Sequence, residues 1–194
     1  MLKILFIGDI VGETGRECVA KYLSQNRQNY DIVIANGENS AGGKGISKNV
    51  FYEMIKLGID VVTLGNHTFA RKEVVEIIDE PKIVRPLNYP EGNVGHGYYV
   101  MDFSDNIKVA VVNLLGRVFT VECLDCPFRA IENFLSKFNE TKIIIVDFHA
   151  EATSEKNAMK YFLDGRVTAV LGTHTHVATN DMQITANGTG YITD

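Results

Sequence analysis

Five short stretches of this 194-residue chain carry side chains able to hold a divalent cation. They are Gly8-Asp9, Asn36-Gly37-Glu38-Asn39, Gly65-Asn66-His67, an isolated His149, and Gly172-Thr173-His174-Thr175-His176. Imidazole nitrogens and carboxylate oxygens are the donors that first-row divalent metals such as Mn, Fe(II), Co and Zn take. Alone, Asp9 reads as a turn or cap residue, and Asn66-His67 as a turn beside a satisfied histidine. Together they read as one site, because each cluster directly follows an apolar run. Two carboxylates against two dications leave about two positive charges, which attract phosphate and acidify a water. His174 and His176, two apart on a segment read as extended, are expected to point the same way. The glycines that precede Asp9, Glu38, Asn66 and His174 are expected to permit tight turns.

The apolar runs predict strands over 2–7, 31–35, 60–64, 98–103, 108–113, 142–148 and 167–171. Most are continuous Val/Ile/Leu rather than alternating, as in strands covered on both faces. The first is therefore read as buried. Helices are expected between several of them. Cys18, Val19, Tyr22 and Leu23 mark one. A second is capped by Ser47, carries Val50, Phe51, Met54, Ile55 and Leu57, and stops at Gly58. A third starts at Pro127 and carries Ile131, Phe134, Leu135 and Phe138. A fourth opens at Ser154-Glu155 and ends at Gly165. The 98–103 and 108–113 runs, joined by Ser104-Asp105-Asn106, read as a hairpin inserted in an α/β layout. In open α/β sheets ligands bind at the C-terminal strand edge, where the five polar clusters fall.

Composition sets limits. The chain is 45% hydrophobic and 22% charged, with a net charge of −5 and no basic run. That excludes a DNA- or RNA-coating surface but leaves room for a small nucleotide or an RNA end. Three cysteines cannot make a full disulfide framework, and Met1–Asp9 has neither the length of a membrane span nor the layout of a signal peptide. A cytoplasmic protein is expected. Cys123 and Cys126 have redox or zinc spacing without a second pair, and read as thiols near solvent. His96 precedes the hairpin, away from a strand end. Arg117 could meet phosphate, although a lone arginine is more often a surface ion pair. Gly42-Gly43-Lys44-Gly45 lacks the P-loop pattern and reads as a flexible loop.

The five clusters resemble those of the calcineurin-like metallophosphoesterase superfamily. Val33-Ile34-Ala35-Asn36-Gly37-Glu38-Asn39, Val84-Arg85-Pro86, Asp147-Phe148-His149-Ala150-Glu151-Ala152-Thr153-Ser154-Glu155 and Tyr191-Ile192-Thr193-Asp194 resemble its bacterial YmdB-like branch. The resemblance implies one domain over 1–194: a four-layer α/β sandwich of two facing mixed sheets with helices outside. It also implies a further segment after Asp194, so the chain reads as shortened at that end.

Two divalent metals per chain are implied, iron or manganese first, with zinc, cobalt or magnesium as alternatives. One would be held by Asp9, Glu38, Asn39 and His176, the other by Glu38, Asn66, His149 and His174. Glu38 would bridge, where most of the superfamily uses Asp. The implied activity is hydrolysis of cyclic nucleotides, 2′,3′-cyclic first and 3′,5′-cyclic second. A hydroxide bridging the metals would attack phosphorus while His67 protonates the departing ribose oxygen. The alternatives are a catalytically weak nucleotide-binding regulator and a 5′-nucleotidase or phosphomonoesterase. The expected partner is a small nucleotide phosphodiester, not a membrane, with homo-oligomerisation left open. One departure is Phe69-Ala70, where relatives carry Trp-Asp, which implies a changed pocket wall.

Overall fold

The computed structural model describes residues 1–104 and 107–194. Two sheets face each other. The first runs β1 (Ile4–Ile7), β2 (Ile32–Asn36), β3 (Val61–Thr63) and β4 (Ile83–Val84), with every neighbouring pair parallel. In the second, β6 (Ile107–Leu115), β7 (Ile144–His149), β8 (Ala169–Thr173) and β10 (Gly190–Ile192) are parallel. Its two edges, β5 (Tyr98–Ser104) and β9 (Gln183–Ile184), run antiparallel to their neighbours. The expected β5–β6 hairpin pairs as predicted, while its turn at Asp105-Asn106 lies outside the described residues.

Helices cover the outer faces. Val19 and Leu23 of α1 (Gly12–Asn26) and Phe51 and Met54 of α2 (Lys48–Lys56) pack on Val33, Ala35 and Val62 of the first sheet. Ser47 Oγ accepts the Val50 N–H at 3.4 Å, giving α2 the cap its sequence predicts. Ile131 of α3 (Pro127–Lys137) and Met159 and Leu163 of α4 (Thr153–Leu163) pack on Ala110, Val112, Val146 and Val170 of the second. The four layers are therefore helix, sheet, sheet, helix. Among the described residues no helix is long and apolar enough to cross a membrane.

The layer between the sheets decides where chemistry can occur. Side chains alternate along a strand, so one face of each strand looks at the other sheet. Those faces supply Ile4, Phe6, Ile32, Ile34, Val61, Val84, Val109, Val111, Ile145, Ala169 and Leu171. Two residues further along, the same faces present Asn36, Thr63, Asn113, Asp147 and Thr173, all at 0% exposure. The interior thus changes from hydrocarbon to hydrogen-bonding groups along a single set of strands. β1 differs from expectation: all four of its residues are only half-buried, because it forms the edge of its sheet.

Candidate metal centre

At the polar end of the interlayer, Asp147 is the hub of a hydrogen-bond network. Asp147 Oδ2 accepts from the Thr63 hydroxyl at 2.5 Å and the Asn36 amide at 3.1 Å. Its Oδ1 accepts from the Thr173 hydroxyl at 2.6 Å. The Thr173 oxygen in turn lies 2.9 Å from His149 Nδ1. Asn36 and Thr63 come from one sheet, Asp147, His149 and Thr173 from the other.

Beyond this network the predicted ligands gather in two groups that share Glu38. In the inner group, His149 Nε2 lies 2.9 Å from Glu38 Oε1, 3.0 Å from Asn66 Oδ1 and 2.9 Å from His174 Nδ1. Glu38, His149 and His174 each offer a donor atom within 4.8 Å of the others. In the outer group, Asp9 Oδ1 lies 3.3 Å from His176 Nε2 and 3.2 Å from Asn39 Nδ2. Asn39 Nδ2 also lies 3.2 Å from His176 Nε2 and 3.5 Å from Glu38 Oε1. All seven expected ligands are brought together. His67 stands beside them: its N–H donates to Glu38 Oε2 at 2.8 Å, and its Nδ1 is 2.9 Å from Asn39 Oδ1. Its side chain is 28% exposed.

This donor set fits a cation. A ring nitrogen carries at most one hydrogen, so His149 Nε2 cannot satisfy three neighbours, two of them oxygens that here only accept. A divalent ion would satisfy all of these lone pairs at once. Charge in the ion-free site points the same way. Burial disfavours the charged His149 ring, but the Glu38, Asp9 and Asp147 carboxylates outweigh it and hold its pKa at about 9. Burial disfavours the Glu38 anion too, yet His149 and the His67 N–H leave that carboxyl below its ordinary value. Burial raises Asp147 to about 6 against the pull of His149 and the two threonine hydroxyls. His174 is lowered, by burial and then by the His149 charge.

Two local expectations are corrected. His174 and His176 do not lie on an extended segment: β8 ends at Thr173, and the two residues have φ of 107° and 58°. These are strained values for residues with a Cβ. The His174 N–H donates to Asp9 Oδ2 at 2.8 Å, which turns the chain there. The two rings consequently serve different groups. Nor do Gly8, Gly37, Gly65 and Gly172 adopt left-handed backbone. Three of them are required by crowding. A Cβ on Gly65 would meet the His149 ring and stand 2.5 Å from Glu38 Oε2, and one on Gly37 would stand 2.7 Å from Val62 Cγ1. On Gly172 it would collide with the Thr193 carbonyl. Gly8 has open space.

Residues around the rim complete the picture. Glu151 Oε2 lies 3.0 Å from His174 Nε2, a contact the spacing does not announce. Phe69, 38% exposed, meets Tyr89 edge-on at 5.4 Å. Tyr89 opens onto a groove of about 1340 Å³ that Asn88, Arg117, Arg129, Tyr98 and Phe134 also line. The Arg117 N–H donates to Glu155, while its side chain is exposed without an ion pair among the described residues. The 42–45 loop is held by Arg71, whose guanidinium donates to Ala41 and Lys44 carbonyls. His96 Nε2 sits 3.2 Å from the Asp79 carbonyl, outside the cluster. Cys123 is exposed and Cys126 half-buried, both as free thiols. Sequence reasoning missed Asn36, Asp147 and Thr173 as site residues. The available signal was an Asp inside an otherwise apolar strand, two positions before His149.

The model of the YmdB-like protein family matches residues 5–194. The chain belongs to this family. It is 46% identical over 197 residues to the 2′,3′-cyclic-nucleotide 2′-phosphodiesterase of Bacillus subtilis (strain 168), spanning all of this chain and 74% of that one. A Thermus thermophilus protein of known structure is 44% identical with a TM-score of 0.95, over 100% of this chain and 75% of that one. A phosphatase structure from Mycoplasma pneumoniae is 37% identical with a TM-score of 0.93, over 100% and 71%. This YmdB-like chain is a phosphoric ester hydrolase with the expected four-layer metallophosphoesterase fold, and divalent metal ions are its implied cofactors.

Proposed function

We propose that the chain hydrolyses cyclic nucleotides, 2′,3′-cyclic ahead of 3′,5′-cyclic, with two divalent ions held around Glu38. One observation carries this reading: Asn66 and His174 gather on His149, Asp9 and His176 gather on Asn39, and His149 and Asn39 both meet Glu38 Oε1. The activity of the B. subtilis relative supports the choice of substrate. Iron or manganese suits the mixed imidazole, carboxylate and amide donors. As placed, Asn39 turns its amide nitrogen toward Asp9 and His176, so holding an ion requires its carbonyl oxygen to rotate inward. Bound ions would supply Lewis-acid charge to the phosphoryl oxygens and lower the pKa of a nearby water.

The chain's own groups do the rest. Glu38 must be anionic to face both groups, and the His67 N–H holds it by its second oxygen. With the Asn39 amide so rotated, its nitrogen would donate to His67 Nδ1, 2.9 Å from Asn39 Oδ1 as placed, which leaves the ring hydrogen on Nε2 to protonate the departing ribose oxygen. Water adds across the P–O(ribose) bond, and the proton given up by His67 is regained from solvent. The test is elemental analysis of protein purified without chelator, with turnover of 2′,3′-cyclic, 3′,5′-cyclic and 5′-monophosphate nucleotides. About two metals per chain and fastest turnover of a 2′,3′-cyclic nucleotide are expected. One metal at saturating Mn²⁺, or faster release of phosphate from a 5′-monophosphate, overturns the reading.

A further inference from the structure

We propose that Asp147, which is not among the candidate ligands, is a positioning residue that fixes which nitrogen of His149 carries hydrogen, acting through the Thr173 hydroxyl. The inference rests on the metal reading above and deepens it.

Hydrogen-bond accounting leaves one arrangement. Asn36 Oδ1 accepts the Glu38 N–H at 3.1 Å, so the opposite end of that amide must be nitrogen. Its two hydrogens go to the Leu64 carbonyl at 3.2 Å and Asp147 Oδ2 at 3.1 Å. None remains for His149 Nδ1, 3.4 Å away. Asp147 receives donors on both oxygens and acts only as an acceptor. Thr173 spends its one hydroxyl hydrogen on Asp147, so its oxygen can only accept from His149 Nδ1. A neutral imidazole with hydrogen on Nδ1 keeps its lone pair on Nε2, the nitrogen that faces Glu38, Asn66 and His174. Asp147, Thr173 and His149 are thus a directed relay that ends at the metal centre. The same carboxylate also ties the two sheets through Thr63 and Asn36, which is the rival explanation for its presence.

Substitutions on the two sides of Asp147 separate these roles. Mn²⁺ binding is measured by calorimetry on chelator-treated protein, for wild type, Thr173→Val, Thr173→Ser, Thr63→Val and Asp147→Asn. Thr173→Val and Asp147→Asn should each weaken the tighter binding step by about 10–100-fold, the usual cost of losing a group that orients a ligand. Their double variant should be no weaker than the worse single one, because both break one relay. Thr173→Ser keeps the hydroxyl and should restore wild-type affinity. Thr63→Val touches Asp147 only from the other sheet and should stay within about threefold. If Asp147→Asn does not fold, the two Thr173 variants and Thr63→Val decide alone. Equal losses in Thr63→Val and Thr173→Val, or an unchanged Thr173→Val, overturn the proposal. Wild type that takes up no Mn²⁺ overturns the metal reading itself, a result distinct from either of those.

Discussion

His149 is wholly buried at the end of a central strand, whereas His176 is 41% exposed on a turn with positive φ, although both rings face the cluster around Glu38. In the inner group His149 sits on the paired strand β7 and is held by the Asp147 relay, while Glu38, Asn66 and His174 follow the ends of β2, β3 and β8. The outer group is assembled from loops: Asn39 beyond β2, Asp9 beyond β1, His176 beyond β8. Both groups take one histidine from the positive-φ turn, His174 and His176, but only the inner group adds a donor fixed on a strand, which loses little freedom on taking an ion. The inner position should therefore bind first and tightest, and the outer position should exchange.

Glu38 is the point at which that contrast can be broken outright. Glu38→Gln should abolish both metal binding and turnover, since the shared group must be anionic for either position to fill. Retention of two ions and normal rates in elemental analysis and assay would remove Glu38 from the centre. Next in size is His67→Ala, which should keep both metals and lose about 10²–10⁴-fold on a cyclic nucleotide. The loss should be distinctly smaller on bis-nitrophenyl phosphate, whose leaving group needs no proton. Equal losses on both substrates would make His67 a binding residue.

A third effect belongs to the inner group alone. Without metal, His149 titrates at about 9 rather than 6.5, so its charged pairing with Glu38 is fully present below about pH 6.5. That contribution, about 3 kcal/mol, disappears as pH rises through 9. Asp147 does not interfere in this window, because its protonated form is spent above about 6. The melting temperature of chelated protein should fall between pH 6.5 and 9, and Mn²⁺ affinity should rise, since the ion displaces the proton. A flat melting profile would contradict the burial of this pair. Smallest is His176→Ala, which should remove only the weaker of two steps in a Mn²⁺ isotherm and spare the tighter one. Loss of the tighter step would reverse the assignment of inner and outer.

Much of this was legible in the residues. All seven expected strands form, and the Ser47 cap and Pro127 at a first helical position start helices where the sequence places them. β4, β9 and β10 escaped notice because strands of two or three residues carry too little pattern to stand out. The candidate ligands were visible because they follow the ends of hydrophobic runs. Asn36, Asp147 and Thr173 were not, for a related reason. When a strand is apolar on both faces, its sequence does not mark which face meets the second sheet, and only that knowledge aligns the three. The glycines misled similarly: composition shows a missing side chain but not whether backbone freedom or a neighbouring ring requires its absence.

The centre is stitched from distant parts of the chain. Asp9 receives the His174 N–H across 165 positions, Asn39 meets His176 across 137, and Asn36 meets Asp147 across 111. Contacts of such separation carry a large loop-closure cost, and they depend on the sheets that hold their ends. A partly folded chain has the donors but not their convergence, and so offers an ion no more than scattered surface histidines would. Ions that bind only the finished structure stabilise it by mass action and slow its opening. They act as a brake on unfolding rather than a nucleus for folding.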